Sequence, residues 1–88
     1  ASSDLTLTQP ESINISVTAD GTMYFSDETV NAEQLDMALM EAAQNVDTSV
    51  EIFADEKAEY GTVAKVMAAI QRAGISKFTF VIQPESGQ

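Results

Sequence analysis

The stretch from Ala54 to Val81 constrains the fold more than any other part of the chain. A short apolar strand ends in Ala54-Asp55. A charged turn follows, then a periodic segment from Tyr60 to Ala73, then Gly74, then a second apolar strand through Phe78 to Val81. Val63, Val66, Met67 and Ile70 recur at helical spacing, so the middle segment reads as an amphipathic helix. Gly74 stands where a left-handed cap belongs, Arg72 lies near the negative end of the helix dipole, and Ile75 is placed for the hydrophobic contact that accompanies such a cap. Strands at Val50–Ala54 and Lys77–Ile82, joined by a helix, are expected to be parallel with a right-handed crossover.

The residues upstream add antiparallel strands. Ile13, Ile15 and Val17 alternate with Asn14, Ser16 and Thr18, the pattern of a half-buried strand. Asp20-Gly21 is a strong hairpin signal, because glycine takes the positive φ that a primed turn needs. Thr22 to Ser26 returns with Met23 and Phe25 inward and Tyr24 outward, Asp27-Glu28 turns again, and Thr29-Val30 adds a brief strand. Asn31 with Gln34 three residues on forms a capping box. Leu35, Ala38, Leu39, Ala42 and Val46 make one helical stripe that Met37 and Met40 widen, up to a stop at Asp47-Thr48-Ser49. All four methionines, Met23, Met37, Met40 and Met67, read as core filler. Phe78, Phe80 and Ile82 read as the core face of the last strand, and Pro84 ends it.

Strands buried on both faces read as continuous apolar runs, and these do not. Asn14, Ser16, Thr18, Thr22, Ser26, Glu51 and Thr79 fall opposite the core residues. The expected fold is therefore α+β: a two-layer sandwich with a mixed sheet of four to five strands and both helices on one face. Tyr24, Phe53 and Val81 project from the other face, as isolated exposed residues or as an association surface. A short open sheet also has edges. Neither the Ile13 strand nor the Lys77 strand contains an internal proline, so an edge of either kind can accept a strand from another chain unless the tether or the tail protects it.

Composition removes most chemistry. The 88 residues allow one domain, and 44% hydrophobic residues suffice for a core. No cysteine and no histidine is present, which removes disulfides, thiolate metal sites and the commonest general base. Ser26, Ser49 and Ser76 have no histidine to activate them. Asp47, Asp55, Glu56 and Glu59 gather in loops around the second helix, but their spacing matches no calcium loop, so they read as a solvated cluster. No catalytic, cofactor or metal-ligating residue is expected. The net charge of −10 repels nucleic-acid phosphates and either keeps the domain soluble or attracts a basic partner. No apolar run approaches the length of a membrane span and no signal peptide opens the chain, so a mature soluble protein or a fragment of a larger one is expected.

From Ile13 onward the order of motifs resembles the periplasmic domains of the ExbD/TolR biopolymer-transport family. The resemblance rests on Ile15-Ser16-Val17, Asp20-Gly21, Met23-Tyr24-Phe25, Leu35 and Leu39, Val50 to Asp55, Tyr60, Val63, Val66-Met67, Ile70, Ala73-Gly74-Ile75, Phe80-Val81 and Pro84. Ala-Asp and Val-Met favour the ExbD branch, while Gln83-Pro84 is similar to TolR. The aliphatic-Leu-Pro motif frequent in the family is not matched, because Leu7 is followed by Thr8-Gln9-Pro10. The resemblance implies a flexible tether over 1–12 leading from a transmembrane helix, a periplasmic domain over 13–84 and a loose tail over 85–88. It also implies a non-catalytic role in a proton-motive-force-driven motor at the bacterial inner membrane. Implied partners are an ExbB/TolQ-like membrane protein, a TonB/TolA-like protein, a second copy of the chain and, in the TolR branch, peptidoglycan. The family's proton-handling aspartate lies in the transmembrane helix, so Asp55 is not that residue. The expected interface residues are Tyr24, Phe53, Tyr60, Thr79, Val81 and Gln83.

Overall fold

The computed structural model describes residues 12–84. The tether and tail expected from the sequence lie outside the described residues, apart from Ser12. The elements are β1 (Ser12–Val17), β2 (Met23–Phe25), β3 (Glu28–Val30), α1 (Ala32–Ala42), β4 (Ser49–Asp55), α2 (Tyr60–Ala73) and β5 (Lys77–Gln83). They form a five-stranded mixed sheet in the order β3-β2-β1-β4-β5, with β1, β4 and β5 parallel and the β1-β2-β3 meander antiparallel. One core joins Ile13, Ile15, Val17, Met23, Val50, Ile52 and Ala54 of the sheet to Leu35 and Leu39 of α1 and Val66, Ala69 and Ile70 of α2. Both helices therefore cover the same sheet face, and the fold is the expected two-layer α+β sandwich.

Local chemistry sets the turns. Asp20 accepts from the Thr18 hydroxyl, from the Thr22 amide at 3.2 Å and from the Thr22 hydroxyl at 2.9 Å, which closes the β1–β2 hairpin around Gly21 at φ 94°. The Thr18 and Thr22 hydrogen bonds hold the Asp20 carboxyl below its ordinary value. At α1, the Asn31 side chain accepts from the Gln34 amide at 2.8 Å and the Gln34 side chain accepts from the Asn31 amide at 2.9 Å, so the capping box is present.

The end of α1 departs from the sequence reading. The helix stops at Ala42, Thr48 folds back and its buried hydroxyl donates to the Ala42 carbonyl at 2.7 Å. That bond and one from the Asn45 amide at 3.2 Å satisfy a C-terminal carbonyl that has no partner within the helix. Val46 lies beyond the helix in the exposed turn, so it is not part of the apolar stripe. Met37 and Met40 are also solvent-facing, 70% and 59% exposed, and fill no core. Their face of α1 points away from the sheet; Leu35 and Leu39 are the buried residues of this helix, with Ala42 packed against the core. The second turn is also shifted. Ser26 adopts φ 58° in the β2–β3 turn and lines a groove with Ala38, Glu41 and Ala42 of α1, on the helix side and not the open face, and Glu28 already belongs to β3.

Gly74 ends α2 in the left-handed region at φ 84°, and the Ile75 amide reaches back to the Ile70 carbonyl at 3.2 Å. A Cβ there meets no atom within 4 Å, so substitution is strained by backbone alone. Gly74→Val is expected to cost about 1–2 kcal/mol. A urea midpoint unchanged from wild type would contradict this reading of the cap.

Candidate functional site at the β5 edge

The strand order decides which edge is open. β1, a candidate edge in the sequence, lies at the centre of the sheet between β2 and β4. The edges are the three-residue β3 and the seven-residue β5. β5 has no proline within it and only Lys77 as a charged residue, so among the described residues nothing protects this edge.

The backbone of β5 alternates in direction. Its register against β4 runs from Lys77 opposite Ser49 to Gln83 opposite Asp55. The Gln83 carbonyl accepts from the Glu56 amide at 2.8 Å, so Gln83 turns its backbone groups toward β4. In a parallel ladder the groups of alternate residues point the same way. Lys77, Thr79, Val81 and Gln83 therefore bond to β4, and Phe78, Phe80 and Ile82 direct an N–H and a C=O each at the open edge.

The same three residues carry the exposed apolar side chains. They stand beside the buried Val50, Ile52 and Ala54 and so face the helix layer. Yet Phe78, Phe80 and Ile82 are 39%, 40% and 55% exposed, because α2 does not extend over the sheet edge. The sequence pattern gave them the right face but not the right burial. Phe80 and Ile82 instead line an open groove of about 440 Å³ with Val63 and Met67 of α2, Tyr60 at the helix start, and Ala54, Asp55, Glu56 and Ala58. Tyr60 is largely exposed at its mouth.

The other expected interface residues lie elsewhere. Register pairs Thr29 with Tyr24, Tyr24 with Ser16, Ser16 with Phe53 and Phe53 with Val81. Tyr24, Phe53 and Val81 thus share one lateral row on the open face, with Ser16 between the two aromatic residues. Thr79 and Gln83 flank Val81 along β5 on that face. Tyr60 is on the opposite side of the sheet. The expected set divides between two surfaces, and the sequence missed Met67, Phe78, Phe80 and Ile82. The signal was available: a last strand placed outside β4 by a crossover, with the hairpin on the far side, is an edge of the described sheet.

The acidic cluster also separates. Asp47 precedes β4, 3.5 Å from Lys77, whereas Asp55 ends it, with its side chain accepting from the Lys57 amide at 2.8 Å. The six-residue rise between Ser49 and Asp55 alone is about 20 Å. Among the described residues no group of three or more His, Cys, Asp or Glu could hold a metal ion, and no helix is long and apolar enough to cross a membrane.

A family described as biopolymer transport protein ExbD/TolR matches residues 1–85, so the match extends through the segment before β1. The biopolymer transport protein ExbD of Pseudomonas aeruginosa is 32% identical over 74 residues, which cover 83% of this chain and 56% of that protein. The chain thus spans about half the length of the curated relative it matches. With a family match over nearly all of its residues and a relative of this identity, the chain belongs to the ExbD/TolR family of biopolymer transport proteins.

Proposed function

We propose that this chain is the periplasmic domain of a membrane-anchored motor subunit, and that the β5 edge couples it to a TonB- or TolA-type protein. The domain does no catalysis in this reading. An ExbB/TolQ-like protein and the proton-motive force act on the membrane-spanning part of the subunit, and the domain passes the motion on by binding. The observation that carries the reading is the seven-residue β5 edge, unpaired among the described residues and lined by exposed Phe78, Phe80 and Ile82. A strand added there satisfies the three outward N–H and C=O pairs and covers the apolar side chains at once. A homodimer is also part of the proposal; because the β5 edge is self-complementary about a two-fold axis, a dimer formed there competes with the partner strand and gives way to it. The name of the P. aeruginosa relative favours the ExbD branch.

Titration of the 15N-labelled chain with a TonB-type linker peptide tests this. The expected result is saturable shifts of the Phe78, Phe80 and Ile82 amides. Shifts confined to α1, or none at millimolar peptide, would contradict it. The lateral row of Tyr24, Ser16 and Phe53 favours a second reading, a TolR-like glycan-binding face. Peptidoglycan fragments would then shift Tyr24 and Phe53 and leave the β5 edge unmoved.

A further inference from the structure

We infer that the groove between α2 and β5 selects the segment it binds. It takes an extended strand antiparallel to β5, with alternating aliphatic side chains and a basic residue on its N-terminal side. The inference rests on the proposed edge coupling and adds what that edge recognises.

Backbone pairing alone selects nothing, because every residue but proline offers the same N–H and C=O. It is also weak, since a net hydrogen bond contributes about 1 kcal/mol and association costs several times that. Selectivity must come from side chains, and the groove supplies the place for them. An incoming strand beside β5 turns every second side chain toward the helix layer, where Phe80, Ile82, Val63 and Met67 form an apolar wall. Val63 and Met67 line that groove from α2 and Phe80 and Ile82 line it from β5, so aliphatic side chains of the incoming strand cover apolar surface there. A charged side chain at those positions would lose water and gain no partner.

Charge sets which end of the segment carries the basic residue. The Glu56 amide bonds to the Gln83 carbonyl, so the loop between β4 and α2 lies against the C-terminal end of β5. That loop carries the carboxylates of Asp55, Glu56 and Glu59 against the one ammonium of Lys57. Glu56 and Glu59 are exposed, and neither forms an ion pair among the described residues. The other end of the strand is balanced, with Lys77 beside Asp47 at 3.5 Å. The potential along the edge is therefore polarised, negative toward Gln83. Antiparallel pairing is the more stable ladder. It places the N-terminal side of the incoming segment against Glu56 and Glu59, which is where a lysine or arginine is favoured.

Two host peptides of identical composition test this, with valines at alternating positions and a lysine pair at the N-terminus of one and the C-terminus of the other. Equal net charge cancels the general attraction to an acidic chain. The N-terminal-lysine peptide is expected to bind the full chain ~3–10-fold more tightly. Glu56→Gln with Glu59→Gln is expected to remove the difference. Equal affinities, or tighter binding of the C-terminal-lysine peptide, would overturn the inference while shifts at Phe78, Phe80 and Ile82 kept the edge coupling. Silence of those three amides to both peptides would overturn the edge coupling as well.

Discussion

Thr79→Pro is expected to destabilise the domain by about 3 kcal/mol or more, while its neighbour Phe80→Pro leaves it folded but unable to pair with a partner strand. The decisive difference between the two positions is which way their backbone points. The Thr79 amide belongs to the β4–β5 ladder, opposite Glu51, and proline there removes a ladder donor and forces the ring against β4. The Phe80 amide faces the open edge, where proline is tolerated. Its cost to folding is the partly buried phenyl group, about 1–2 kcal/mol. Urea denaturation of both variants, with peptide titration of the second, measures the contrast. Equal loss of stability would show that the alternation of β5 is assigned wrongly. Undiminished partner binding by Phe80→Pro would show that the edge is not the docking surface.

Ile70→Ala is expected to remove about 2–5 kcal/mol, because Ile70 is fully buried where α2 meets the sheet. A chain of this length has a total stability of roughly 4–13 kcal/mol, so the variant loses a large share of it. The melting temperature should fall by about 10 °C or more. Met37→Ala is the control. Its side chain is exposed on the outer face of α1, and the change should stay within about 0.5 kcal/mol. A loss below about 1 kcal/mol at Ile70, or a loss at Met37 as large as that at Ile70, would contradict the assignment of the core.

The elements were legible because local chemistry marks them. Asp20-Gly21, the Asn31–Gln34 capping box and Gly74 each satisfy or free a specific backbone group, and the structure uses all three as the sequence suggests. Alternation in β1 and β4 likewise fixed the core face. Met37 and Met40 do not widen the α1 stripe: at about 100° per residue they sit on the side of the helix opposite Leu35 and Leu39, and they face solvent. What periodicity could not supply was burial, which depends on what lies above a residue. Phe78, Phe80 and Ile82 alternate correctly and still face solvent, because the strand order ends at β5. Val46 fails for a different reason. The bond from Thr48 to Ala42 spans six residues in sequence, and no local pattern announces it. The candidate site follows the same division. The open-face row was visible residue by residue, whereas the groove between α2 and β5 exists only once topology places β5 at the edge.

Amide hydrogen exchange along β5, residue by residue, tests the central claim most directly. The open-edge account predicts an alternation in the isolated chain at low concentration. Thr79, Val81 and Gln83, bonded to β4, should exchange slowly, and Phe78, Phe80 and Ile82 should exchange fast. Adding a TonB-type peptide should slow the second set and leave the first unchanged. Uniformly slow exchange along β5 in the isolated chain would mean that the edge is already covered. Fast exchange at Phe78, Phe80 and Ile82 that saturating peptide does not slow would mean that the partner binds elsewhere. Either result would contradict the account.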